Sequence, residues 1–195
     1  VKTLKVLELD SLKYEELYEN IVKAFRNRFA EYETQTECAL ALCFGLAEDR
    51  KKTAKRLAEL IHSAEDSLQT GFIGTLYLLD ALSKNGYAEL AYTLLLREEY
   101  PSWLFSVNMG ATTMWEHWDG MRADGSFWSD NMNSFNHYAY GAVASWLYET
   151  VAGINVDEAA PGFEHIILKP IADRRLDMAE ASFDTRFGTI RSKWY

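Results

Sequence analysis

Between Gly110 and Gly120 the chain reads Gly-Ala-Thr-Thr-Met-Trp-Glu-His-Trp-Asp-Gly, which sets one carboxylate, Glu116, between Trp115 and Trp118. A carboxyl so flanked is either desolvated, which raises its pKa, or poised beside a sugar ring stacked on an indole. Both settings suit acid–base work on a glycosidic bond. The same spacing admits a structural reading, in which Thr113 caps a helix and Glu116, three residues on, closes its capping box. Spacing leaves the two open. Asp119, Asp124 and Asp130 follow in the same segment, where they can meet sugar hydroxyls, a calcium ion or only water, although Asp119 to Ser126 lacks the ligand spacing of an EF-hand loop. His137, in Asn136-His137-Tyr138, suits either donation into a cleft or a structural place near a helix N-terminus. The glycines of Thr70-Gly71-Phe72-Ile73-Gly74-Thr75 would let backbone approach a ligand, but the run has neither the lysine of a phosphate loop nor three suitably spaced glycines, so it reads as a tight connection between helices.

Positioning these residues takes a sizeable core, and 195 residues, 48% of them hydrophobic, can supply one. The net charge of −9 comes from acids spread along the chain, without a basic stretch to follow a phosphate backbone, so neither nucleic acid nor an anionic membrane is expected as partner. No apolar run approaches the roughly 20 residues that span a bilayer. Nothing in the sequence assigns a compartment. The two cysteines, Cys38 and Cys43, sit in an apolar stretch with no further ligand nearby and read as small core residues; no metal and no cofactor is expected. Of the 6 Trp and 11 Tyr, five Trp and four Tyr fall between Tyr100 and Tyr148, as amphipathic rings crowd in carbohydrate sites, or as they do in an aromatic-rich core.

Tyr14, Leu17, Tyr18, Ile21, Val22 and Phe25 recur at the three-and-four spacing of an amphipathic helix. Thr34 with Glu37 opens a second, apolar on most sides over Ala39 to Leu46 and therefore expected to be buried. Ala54, Leu57, Ala58 and Ile61 mark a third helix, Leu76 to Leu82 before Asn85-Gly86 a fourth, and Leu90, Ala91, Leu94 and Leu95 a fifth. Between Glu99 and Asn133 the period dissolves, with a short helix expected near Thr113; irregular segments of that length usually carry function. Ser134 then caps a sixth helix from Phe135 to about Val151. After Gly153 short runs with partial alternation, Glu164 to Pro170, Met178 to Phe183 and Thr189 to Trp194, argue for strands.

Taken together, several of these segments resemble the bacterial α-L-rhamnosidases, inverting glycoside hydrolases built on an (α/α)6 barrel. The matching pieces are Gln35 to Leu46, Thr70 to Thr75, Tyr100-Pro-Ser-Trp103, Gly110 to Trp118, Ser134-Phe-Asn-His-Tyr-Ala-Tyr-Gly141 and Pro161 to Pro170. The Ala-Thr-Thr-x-Trp-Glu-x-Trp and Asn-His-Tyr-Ala-Tyr-Gly runs are the specific ones. The resemblance implies a mainly α chain: residues 1–152 as the later, second half of an (α/α)6 toroid and residues 153–195 as the start of a C-terminal β-sandwich domain. It puts Glu116 on the family's general base, His137 on a pocket residue touching rhamnose, and Trp115 and Trp118 on pocket walls. His117 stands where an Arg is expected.

An inverting hydrolase also needs a protonated carboxyl on the other side of the bond. The family's acid lies in an Asp/Arg/Glu-rich motif of the earlier half-barrel, and no such motif precedes Glu37. The expectation is thus a fragment of an enzyme acting on rhamnose-containing glycosides or polysaccharides, inactive by itself and prone to self-association through an uncovered half-barrel flank. Two other readings stand beside it. One is a non-catalytic carbohydrate-binding helical module; the other is a different α/α-barrel glycosidase or a polysaccharide lyase, the lyase being disfavoured by the lack of a basic cluster.

Overall fold

A computed structural model describes all 195 residues, with helices first and short strands last. It divides into two compact units, one of Glu31–Ala144 and one that pairs Val1–Ala30 with Ser145–Tyr195. The elements in order are α1 (Lys2–Val6), α2 (Leu12–Arg28), α3 (Gln35–Cys43), α4 (Arg50–Ser63), α5 (Phe72–Ser83), α6 (Ala88–Leu95), α7 (Trp103–Asn108), a 3-10 turn (Ala139–Ala142), α8 (Val143–Trp146), a π-helical turn (Leu147–Val151) and strands β1 (Ile154–Val156), β2 (Ile166–Leu168), β3 (Ala179–Thr185) and β4 (Gly188–Trp194).

In the Glu31–Ala144 unit the helices start where side chains can take up their free N–H groups. The Thr34 hydroxyl accepts from the Glu37 amide at 3.2 Å, and the Glu37 carboxylate accepts from the amides of Glu33 at 2.8 Å and Thr34 at 2.9 Å, completing the expected capping box. These amides, Glu33 foremost, hold the Glu37 carboxyl below its ordinary pKa. Asp49 caps α4 in the same way through the Lys52 amide at 3.0 Å. Leu42 on α3, Leu57 and Ile61 on α4, Leu78 and Leu82 on α5 and Leu94 on α6 are almost fully buried, so α3 packs on α4 and α5, and α5 on α6. Burial of each such side chain stabilises by about 1.5–3 kcal/mol.

The first turns of α3 and α5 meet closely. Buried Gln35 donates to the Ser67 carbonyl at 3.0 Å and accepts from the Gln69 amide at 2.9 Å, while the Thr70 and Thr75 hydroxyls bond each other at 2.7 Å. A β-carbon on Gly74 would lie 2.3 Å from Thr36 Oγ1 and 2.9 Å from Thr70 Cβ. The second glycine of the Thr70–Thr75 run thus serves helix packing.

The other unit keeps its strands in two antiparallel pairs, β1 with β2 and β3 with β4. Ala152, Ile154 and Ile190 form its small core, with Phe163 and Ala181 against it. Gly153 takes φ +74°, and a β-carbon there would lie 2.1 Å from Pro170 N, so only glycine lets the chain turn into β1. On α2, by contrast, no residue is buried, and Leu12, Tyr14, Leu17, Tyr18 and Ile21 are exposed.

Four expectations need correcting. No helix forms near Thr113, and the expected sixth helix begins only at Ala139, because the backbone on both sides is bonded across a loop. Cys43 is exposed at the C-terminal end of α3, whereas Cys38 is buried, and desolvation pushes both thiols up to about 11. Strand β1 and the short helices α1 and α7 are additional elements, each of six residues or fewer.

Candidate active site

The Glu116 loop is shaped by what holds its backbone. The Glu116 amide donates to the Ser134 carbonyl at 2.9 Å, the His137 amide donates to the Met114 carbonyl at 2.8 Å, and the Thr113 hydroxyl donates to the Phe135 carbonyl. Residues 113–116 and 134–137 therefore run side by side. Thr113 caps nothing, which removes the capping-box reading of Glu116. Ser134 caps no helix either: its hydroxyl accepts from Asn136 N at 3.2 Å, making a local turn.

Glu116 is half-buried. Its Oε2 accepts from the Ser134 amide at 3.3 Å, and its Oε1 receives no hydrogen bond from the chain. A carboxylate with one oxygen restrained and the other open can accept a proton from a bound water.

Half-buried His137 lies parallel to the rings of Phe72, at 4.7 Å and 23°, and Tyr138, at 5.2 Å and 17°. Its Nδ1 accepts from the Ala139 amide at 3.4 Å. Phe72 meets Tyr140 edge-on at 5.3 Å, Tyr140 stacks on Trp118 at 3.7 Å, and Trp118 meets Trp103 edge-on at 5.2 Å. A continuous file of rings thus joins His137 to the loop of Glu116, clamped at the far end where Trp103 Nε1 donates to the Tyr140 carbonyl at 2.9 Å and the Ser106 hydroxyl to the Trp118 carbonyl at 2.9 Å.

Trp115 and Trp118 are buried, 5% and 7% exposed, and with Trp103, Ser106, Thr113 and Met114 they line a cavity of about 280 Å³. Neither Glu116 nor His137 lines it. His117 stacks flat on Trp128 at 3.6 Å and 10°.

The three aspartates of the loop do not come together. Asp124 accepts from both the hydroxyl and the amide of Ser126, which hold its carboxyl below the usual range and build the turn at Gly125 between Met121 and Phe127. Asp119 pairs with Arg122 at 3.8 Å, and Asp130 is brought into no cluster; no group of three or more His, Cys, Asp or Glu is arranged to hold a metal ion. Sequence reasoning gave no role to Phe72, Tyr140 or Trp128, although Tyr140 lies in the Asn136–Gly141 run singled out as specific and Phe72 stands between the two glycines of the Thr70–Thr75 run.

Residues 3–151 match the model of the bacterial alpha-L-rhamnosidase 6 hairpin glycosidase domain, and residues 153–195 that of the bacterial alpha-L-rhamnosidase C-terminal domain. An alpha-L-rhamnosidase of Formosa agariphila is 41% identical over 204 residues, covering 99% of this chain and 22% of that protein. The crystal structure of Streptomyces avermitilis alpha-L-rhamnosidase complexed with L-rhamnose superposes with a TM-score of 0.91 at 37% identity, over 98% of this chain and 19% of that one. That of native alpha-L-rhamnosidase from Aspergillus terreus gives 0.88 at 37% identity, over 94% and 22%. The chain spans about a fifth of the length of the relatives it matches.

Proposed function

Since the chain belongs to the bacterial α-L-rhamnosidase family, a family of glycoside hydrolases, we propose that it supplies the base side of an active site that hydrolyses terminal α-L-rhamnosides with inversion. Residues 1–152 contribute the later half of an (α/α)6 barrel and residues 153–195 the start of the C-terminal β domain. Glu116 is the general base. Its free Oε1 takes a proton from water as the water attacks the sugar carbon on the face opposite the leaving group, while a carboxylic acid from outside these 195 residues protonates the leaving oxygen. His137 binds the rhamnose, and Trp115 and Trp118 wall the adjoining cavity.

The observation that carries this reading is the state of Glu116: half-buried, on a loop pinned at three backbone points, with one carboxylate oxygen held by the Ser134 amide and the other unbonded. The test is turnover of an aryl α-L-rhamnoside by the complete gene product carrying this chain, with and without Glu116→Gln. Loss of turnover with retained binding supports the base; unchanged turnover overturns it.

A second reading, a carbohydrate-binding module without catalysis, is favoured by the tryptophan-lined cavity alone. Calorimetry separates the two, since a binding module takes up rhamnose as the isolated chain and a half-site does so weakly at best.

A further inference from the structure

His137 is restrained in two independent ways. Phe72, from the first turn of α5, and Tyr138, its chain neighbour, lie parallel to the imidazole and fix its plane. Along the ring edge, the Ala139 amide points at Nδ1 at 3.4 Å. An amide N–H can only donate, so Nδ1 is the acceptor and the proton of the neutral ring sits on Nε2. Nε2 has no hydrogen-bond partner in the chain. A ring held this way offers one N–H donor, which suits the lone pair of a hydroxyl or ring oxygen and repels a cation. Phe72 is the pivotal residue because its ring meets those of both His137 and Tyr140, and Tyr140 stacks on Trp118, two residues beyond Glu116.

We propose that Phe72 is a positioning residue that sets the plane of His137, so that the Nε2–H left by the Ala139 bond to Nδ1 is aimed as a single donor to a sugar oxygen. The role rests on the reading of Glu116 and His137 as parts of one glycosidase site. Because the bond is made to a part of the sugar that does not react, it strengthens substrate and transition state alike.

The test is steady-state kinetics of the complete gene product on an aryl α-L-rhamnoside. Phe72→Leu keeps an apolar side chain but removes the flat ring, and is expected to raise KM about 3- to 10-fold, the worth of one net hydrogen bond, with kcat nearly unchanged. Phe72→Tyr restores KM. His137→Ala raises KM by a similar factor, and adding Phe72→Leu to it causes no further rise, because the two act through one contact. Additive losses, or failure of Phe72→Tyr to rescue, overturn the proposal.

A measurement on the unaltered protein tests the single-donor half of the proposal even where Phe72→Leu does not fold. Long-range proton–nitrogen correlation of histidine-labelled protein, with the His137 signal assigned by its loss in His137→Gln, is expected to show a neutral ring protonated at Nε2. Protonation at Nδ1 overturns the proposal. Glu116→Gln in the same assay keeps the two readings apart: unimpaired turnover there sinks the glycosidase site, whereas additive Phe72 and His137 losses beside an inactive Glu116→Gln sink only the positioning role.

Discussion

Glu116 and Ser134 bond each other twice, the Glu116 amide to the Ser134 carbonyl at 2.9 Å and the Ser134 amide to Glu116 Oε2 at 3.3 Å. The carboxylate is therefore oriented by the backbone of the segment that also carries His137, with no second side chain involved. Backbone orientation survives isosteric substitution. A glutamine can accept the same Ser134 hydrogen bond through its amide oxygen while losing the ability to take up a proton.

Glu116→Gln is accordingly expected to lower kcat of the complete gene product by about 10²- to 10⁴-fold while its unfolding curve overlays that of the parent. A fall in stability of similar weight to the fall in rate would mean that the loop, rather than the base, had been damaged.

The close approach of α3 and α5 supplies a structural counterpart. Gly74→Ala would drive a β-carbon to 2.3 Å from Thr36 Oγ1 and 2.9 Å from Thr70 Cβ, and is expected to cost about 1–3 kcal/mol. Gly71→Ala, three residues earlier at the N-cap of α5, meets nothing within 4 Å and should cost less than about 1 kcal/mol. Denaturant midpoints of the two variants check the contrast. Equal midpoints would show that the loop has room the geometry denies.

These elements also show what the sequence could and could not reveal. Capping residues and helical spacing announced α3 to α6, since both act within one turn and need no partner from elsewhere. The same logic failed at Thr113 and Ser134, two sound capping residues, because their hydrogen-bonding groups are engaged across the loop by Phe135 and Glu116, twenty or so positions away in sequence. Strand β1 escaped because its three residues directly follow Gly153 and form no apolar run, whereas the equally short β2 is the apolar run Ile166 to Leu168. Glu116, His137, Trp115 and Trp118 were legible as candidates through residue type and resemblance. Phe72 was not, since its meaning lies in a ring contact 65 positions along the chain.

Asp173 gives the pH dependence a sign. Arg175 hydrogen-bonds both its oxygens, and that pairing lowers its carboxyl from the ordinary 3.8 to about 2. A folded-state pKa below the unfolded one stabilises the fold above the unfolded value and is lost as the pH falls through the folded one. The contribution should therefore be complete above about pH 4 and vanish as the pH approaches 2. Asp173→Asn is expected to lower the denaturant midpoint at pH 6 and to flatten its fall across that window. A variant that tracks the parent at every pH would show the same pairing in the unfolded chain, as two residues so near in sequence permit.

Helix α2 bears on the isolated chain. Tyr14, Leu17, Tyr18 and Ile21 share one face at helical spacing, all four are exposed, and no residue of the helix is fully buried. Monomers rarely leave an apolar stripe of that size in water. The 195-residue chain alone is expected to sediment as dimers or larger species at micromolar concentration and to leave an aryl α-L-rhamnoside intact, for want of a general acid. Leu17→Lys with Ile21→Lys places two like charges on the stripe and should shift the chain toward monomer, while leaving Glu116 and its loop untouched. A parent chain that sediments as a monomer would mean that the stripe is tolerated in water; a parent chain that turns the glycoside over would mean that its own 195 residues include the acid.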